Sequence, residues 1–408
     1  MKIAILTGII LSFTIEASHA QAISLSRPLP KSVEHSSSGP WGNLDFYEIK
    51  LSSPLSYLSQ LAIPSEQTEW NFTQESRAEI VAEMEEAGFS AEEISYLVSE
   101  GSLVTVGESL KLFPTSEMIS EIPGDLKSRF YSFLGRNPAN RFHHRPAYIN
   151  TTNLTRYFHH SNLPVETLQH IAKLAYKTPS GYGFFLSDIP SLLKQTSNSE
   201  EERLLMNAIL RVPALMVRIN LSEMDSIDEL ANYWSAGHQN KQVLSLFESI
   251  YRNPSVDRLD IGHLLPPIAR QNLNRYPEQP DGLNGRYPDW FWTCYNFSRF
   301  SPVDVYADTD QSRALMEKAF APVKAPYTFG DMLLFNSRGR VIHGCIYIAD
   351  DIVYTKNGPG LLSPFILMRL QDVIAYHDLV GDVTLSQYRR TRQRGALPPA
   401  AVAPTPSN

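Results

Sequence analysis

Three β-rich runs placed almost end to end constrain this chain most. Met332 to Phe335, Val341 to Ile348 and Ile352 to Thr355 are separated chiefly by Ser337-Arg-Gly-Arg340 and Asp350-Asp351. Connections that short join antiparallel neighbours, because a parallel crossover needs about a dozen residues or more. A segment with helical spacing, Asp308 to Phe320, precedes them. A helix running into an antiparallel meander predicts an α+β fold for the C-terminal region, residues 255–388.

The middle run alternates. Ile342, Gly344, Ile346 and Ile348 share one face, while Val341, His343, Cys345 and Tyr347 share the other. The aliphatic face belongs on a core. The opposite face presents an imidazole beside a thiol and a phenol. His343 there reads either as a general base near neutral pH or as a hydrogen-bonded core histidine.

Upstream, residues 46–254 read as a mostly helical region. Thr73 is a candidate N-cap for a helix that Gly88 stops, and Ser90-Ala-Glu-Glu93 has the form of a capping box. Pro123-Gly124-Asp125 opens another helix, Glu200 to Met216 carries helical spacing up to Pro213, and Gln242 to Tyr251 is a short amphipathic piece. Residues 1–20 have the form of an export signal, with Lys2, an apolar run from Ile3 to Phe13 and small residues at Ser18 and Ala20. Residues 21–45 read as a flexible tether, because the run from His35 to Gly42 is rich in Ser, Gly and Pro. Residues 389–408, basic and then Ala/Pro-rich, read as a disordered tail. The expectation is a secreted, periplasmic or cell-surface protein with no transmembrane span after signal removal.

A second element lies between the two regions: Tyr287-Pro-Asp-Trp-Phe-Trp-Thr-Cys294-Tyr-Asn-Phe. A cysteine early in a helix gains from the helix dipole, and a Cys–His pair from a helix and a facing strand is what a thiol hydrolase uses. The alternative is an inert cysteine in an aromatic cluster. Together with Gly330-Asp-Met-Leu-Leu-Phe335 and His343-Gly-Cys-Ile-Tyr-Ile348, this element resembles the NlpC/P60 superfamily of papain-like cysteine hydrolases, over roughly residues 285–358. The resemblance implies acyl transfer on a cell-wall peptide or another amide, with Cys294 attacking and His343 moving the proton. The family's third polar residue stands about twelve positions after the histidine, which reaches Thr355; Asn357 could take the part as an amide, or Asn357-Gly358 could be a plain turn.

The sequence departs from the family at the nucleophile. The family places a cysteine directly after an aspartate, whereas Asp289 is followed by Trp290 and Cys294 lies one helical turn later. Either the nucleophile has moved to Cys294, with the helix starting near Thr293 as N-cap, or Trp290 fills its place and the domain is an inactive binding or scaffold protein. In the second case Trp290, Phe291 and Trp292 could hold a ligand by stacking. Neither reading implies a cofactor. Cys294 and Cys345 are the only cysteines, so a disulfide between them is the one pairing open. His143-His144 and His159-His160 lack the spacing of a helical metal pair, and Asp304, Asp308 and Asp310 do not fit a calcium loop. A net charge of −7 with no long Lys/Arg block argues against nucleic-acid binding through a basic face.

Overall fold

The computed structural model describes residues 33–58, 68–73, 75–99, 103–107, 109–159, 161–178, 181, 183–222, 226–236, 240–253, 255–278, 287–305, 309–377 and 383–391. The export signal expected at 1–20 and the stretch from 392 onward lie outside them. Helices and antiparallel sheets are both present, as expected of an α+β chain.

The expected meander forms, and its turns are built as the residues demand. Arg338 and Gly339, between Ser337 and its partner Arg340, take left-handed φ values of 49° and 74°. A two-residue connection between twisted strands needs that conformation. Asp350 does the same at the next turn, with φ 52°. Strands Met332–Ser337, Arg340–Ala349, Ile352–Thr355 and Ile366–Arg369 follow in order, all antiparallel. Two further strands complete a six-stranded sheet: Thr384–Arg390 beside Met332–Ser337, and Phe320–Pro322 at the outer edge.

Arg389 and Arg390, expected to open a tail, instead belong to that inserted strand. Arg389 grips the buried Asp331 with both ends of its guanidinium, Nε at 2.6 Å from one carboxylate oxygen and Nη2 at 2.8 Å from the other. Gln387 adds a third donor at 2.7 Å and the Thr328 amide a fourth at 2.9 Å. The Gly-Asp pair at 330–331 is thus a structural anchor: it holds the inserted strand against Met332–Ser337.

The region expected to be helical, 46–254, is mixed. Asn43–Leu51 pairs along its full length with Val212–Asn220, in a four-stranded sheet that also holds Glu34–His35 and Arg258–Asp260. The helix expected to reach Met216 ends at Ile209, and Pro213 sits inside the strand opposite Lys50. Apolar residues recur on both sides of Arg211 and Pro213, so helical spacing upstream extends in the sequence into what is a strand. The expected tether is also ordered from Val33 on. Glu34 and His35 pair with Phe46 and Asp45, and Trp41 packs edge-on to Tyr233. One aromatic anchor fixes a run whose composition alone would leave it loose. Ser76, not Thr73, caps its helix, because Glu79 three residues on completes a capping box.

Burial groups these elements differently from the sequence order. One cluster of buried side chains runs from Trp70 to Ile209 and contains most of the helices. A second joins Leu44, Phe46, Val217 and Ile219 to the Trp290–Asn296 helix and to one face of the six-stranded sheet. A third lies on that sheet's other face. No described helix is long and apolar enough to cross a membrane.

Candidate functional site

The helix carrying Cys294 spans Trp290–Asn296. Asp289 caps it, its carboxylate accepting from the Trp292 amide at 2.8 Å. Thr293 is not the cap: it sits in the first turn, and its hydroxyl donates back to the Asp289 carbonyl at 2.6 Å. The helix start therefore presents Trp290, and Cys294 lies a full turn inside.

That position decides the fate of the thiol. Cys294 is 2% exposed and packs in the cluster that holds Ile346, Ile348, Ile352 and Tyr354. Burial drives its pKa well above the ordinary thiol value, and the nearby Cys345 and Asp289 push the same way. The expected gain from the helix dipole does not prevail, because desolvating a thiolate costs more than a helix end returns. Cys345 is buried with its pKa raised by the same cause, and both thiols are free.

His343 lies on the other face of the sheet. It pairs with Phe335, which belongs to the cluster of Leu333, Cys345, Tyr347 and Val353. The alternation holds from His343 to Ile348. It fails at Ile342, where a register slip between Phe335 and Asn336 moves that side chain to the His343 side. Cys294 and His343 thus belong to opposite faces of the sheet, and the expected attack of one assisted by the other has no geometry to support it.

The structure does bring together His343, Thr355 and Asn357. His343 Nε2 stands 2.9 Å from the Thr355 hydroxyl, which donates onward to the Asn357 side-chain oxygen at 2.8 Å. Since the hydroxyl proton goes to Asn357, Nε2 must carry the donated proton and Nδ1 is left as the basic nitrogen. Thr355 meets the ring directly, and Asn357 acts on it only through Thr355 while also introducing a turn, with Gly358 at φ 126°. Burial pulls the His343 pKa well below the usual imidazole value, and His377 adds to the depression. His377 was not singled out in the sequence. It stacks on His343 with ring centroids 4.1 Å apart, and burial lowers its own pKa to about 4. It sits at the end of the Leu370–His377 helix, where no local pattern ties it to a strand residue.

Trp290, at the helix start, packs on the Cys294 side of the sheet, beside the strand that carries His343. Its ring centroid is 6.5 Å from that of His343. The indole lies so close to the strand that a Cβ added at Gly344 would stand 2.7 Å from its Cε3. Phe291 and Trp292 are buried, so the aromatic cluster offers Trp290 alone to a ligand. Behind them Lys356 is fully buried, its ammonium donating to the Gly358 and Gly360 carbonyls at 2.7 and 3.1 Å. Burial lowers its pKa to about 7, with Asp289 opposing. This lysine closes the 356–360 loop from within. Elsewhere, His143 is buried edge-on to Tyr131 at 4.6 Å and burial holds its pKa down to about 3, so it serves packing.

Chemically, the cluster holds an oriented, neutral imidazole on one face of the sheet, with the indole and the thiol of the helix on the other. Comparison with family models, with curated proteins and with solved structures returns no match to this chain.

Proposed function

We propose that this chain is an exported NlpC/P60-like protein that binds its ligand without cleaving it. The carrying observation is Trp290. It follows Asp289 directly, where the family's motif has its cysteine, and it packs against Gly344, with its ring centroid 6.5 Å from that of the neighbouring His343. The hydrogen-bonded series from His343 through Thr355 to Asn357 supports the same reading. It has the polarity of a papain-like histidine and its orienting partner, with the proton on Nε2 and the basic nitrogen at Nδ1. What is missing is a nucleophile. Cys294 cannot supply one while buried on the opposite face with its thiolate disfavoured. The ligand class implied by the resemblance is a cell-wall peptide or another amide.

The test is hydrolysis of muropeptides and of an activated ester by the native protein, by Cys294→Ser and by Trp290→Cys. The native protein and Cys294→Ser should share the same background rate. Trp290→Cys should gain a burst of one acyl group per chain from the ester. Turnover by the native protein that disappears in Cys294→Ser would overturn the proposal.

A further inference from the structure

A cavity of about 230 Å³ opens where the Trp70–Ile209 cluster meets the far end of the six-stranded sheet. It lies on the His343 face of that sheet: Ile366 and Met368 form an apolar wall and belong to the same buried cluster as Phe335 and Cys345. Two rings bound it, Tyr148 and Tyr376, packed edge-on with centroids 5.0 Å apart. A dry cavity of about 150 Å³ takes a benzene ring, so this one has room for a ring and a short chain. Trp290 and Cys294 are not part of its wall.

A ligand charge of either sign has nothing to meet there. Among the described residues that line the cavity none is Asp, Glu, Lys or His. Arg211 is the one charged side chain, and it already has a partner. Burying an ion without a counter-charge is costly, so these walls select a neutral ligand. Two hydrogen-bond donors, however, are left short. The Tyr376 hydroxyl has no hydrogen-bond partner among the described residues; that side chain meets only the rings of Tyr148 and His377. Burial raises its pKa, which keeps the proton on the oxygen. The Asn357 amide nitrogen reaches only the Met368 sulfur, at 3.2 Å, and a thioether is a weak acceptor. The Asn357 side-chain oxygen, by contrast, is already taken by the Thr355 hydroxyl. The other polar side chains in the wall are engaged locally: Asn150 accepts from the Tyr148 hydroxyl at 3.4 Å, and Ser363 donates to the Asn357 carbonyl at 3.0 Å.

We infer that this cavity binds a small neutral carbonyl compound, a ketone or an amide, with its aromatic or branched body against Tyr148, Ile366 and Met368 and its carbonyl oxygen on the Tyr376 hydroxyl and the Asn357 amide. A carbonyl oxygen has two lone pairs and no proton to give, so it matches a wall whose spare groups are donors. Each such bond satisfies a donor whose desolvation the fold has already incurred. An aromatic body also extends the edge-on pair of tyrosine rings. The site adjoins the histidines by two routes. Asn357 ends the hydrogen-bonded series that begins at His343, and Tyr376 precedes His377, which stacks on His343. The inference is separate from catalytic silence, since none of the walls is the helix start or its thiol.

Isothermal titration of the full chain with 4-phenylbutan-2-one, butylbenzene, 3-phenylpropanoate and 3-phenylpropylamine tests it. The ketone should bind at least about tenfold more tightly than the acid and the amine, which would each bury an unpaired charge. Tyr376→Phe keeps the ring and removes the hydroxyl. It should weaken the ketone by about fivefold or more and leave butylbenzene within about twofold of its native affinity. Leu362→Trp, which fills the cavity from a loop, should weaken both of these ligands at least about tenfold. The acid or the amine binding as tightly as the ketone, no saturable binding of the ketone up to its solubility limit, or a Tyr376→Phe effect that is the same for ketone and hydrocarbon would each overturn the inference. Should Leu362→Trp fail to fold, the comparison of the two ligands in Tyr376→Phe decides it alone. Because Trp290→Cys leaves these walls intact, its ligand series should match the native one whatever its acylation behaviour.

Discussion

Replacing His343 by alanine should make Cys294 more reactive toward iodoacetamide, not less. A thiol 2% exposed in a packed core is alkylated only when the surrounding structure opens. Its rate is then the free-thiol rate multiplied by the opening equilibrium. His343 holds that structure shut from the opposite face: it stacks on His377 at 4.1 Å, meets the Phe335 ring at 5.4 Å and donates to Thr355 at 2.9 Å. Truncating a buried ring with one hydrogen bond costs about 2–3 kcal/mol. Each 1.36 kcal/mol is a factor of ten, so labelling should accelerate roughly 30- to 150-fold if opening of the sheet exposes the thiol. If His343 instead activated Cys294 as a base, its removal would slow labelling at pH 6–7. The two mechanisms give opposite signs. The assay is the iodoacetamide labelling rate of Cys294, resolved from Cys345 by peptide mass spectrometry, at pH 7 in native buffer. A slower rate in His343→Ala, or a native rate close to that of an exposed thiol, would refute the burial reasoning.

Acid should destabilise the protein through its buried histidines. His143 and His377 have folded pKa values of about 3 and about 4, below the unfolded value near 6.5. The unfolded state binds the extra protons between those limits, so this stability is full above about pH 6.5 and is lost as pH falls toward 3–4. His143→Phe keeps a ring against Tyr131 and removes a buried nitrogen that has no partner among the described residues, so it should flatten the urea-midpoint slope between pH 6.5 and 4. Gly344→Ala should cost about 1–3 kcal/mol by overpacking against Trp290, read as a lower unfolding midpoint. Adding Trp290→Ala should recover most of that loss, and a strictly additive double mutant would contradict the close contact.

Local chemistry made the hairpins legible. Arg338-Gly339 and Asp350-Asp351 are turn residues between alternating runs, and the strands they connect have no room for any other pairing. The histidine's partner was also within reach, because twelve residues along an antiparallel hairpin return to the same face, and Thr355 sits there. What escaped the sequence is non-local. Nothing near Asn43–Leu51 announces that Val212–Asn220 will pair with it, and Pro213, taken as a limit of helical spacing, lies inside that strand. Arg389 looked like tail because its partner, Asp331, is distant in sequence. Of the two readings open for Cys294, the one with Thr293 as N-cap failed on helix phase: a helix that starts at Trp290 turns the thiol into the core.

The inserted strand Thr384–Arg390 has a consequence for how the chain comes to be made. It is among the last described segments to be synthesised, yet it occupies an inner position in its sheet, between Phe320–Pro322 and Met332–Ser337. Until it arrives, Met332–Ser337 is an open edge with apolar side chains on both faces, and the Asp331 carboxylate waits without Arg389 or Gln387. Exposed edges of that kind invite pairing with other chains. The cluster from Trp70 to Ile209, built from neighbouring stretches, can assemble well before then, since local contacts form fast and distant ones slowly. A chain terminated shortly before residue 384 would therefore hold a finished first lobe joined to a sticky half-sheet. Such a product would be cleared or would aggregate, so truncations that remove Thr384–Arg390 carry a penalty out of proportion to the residues lost.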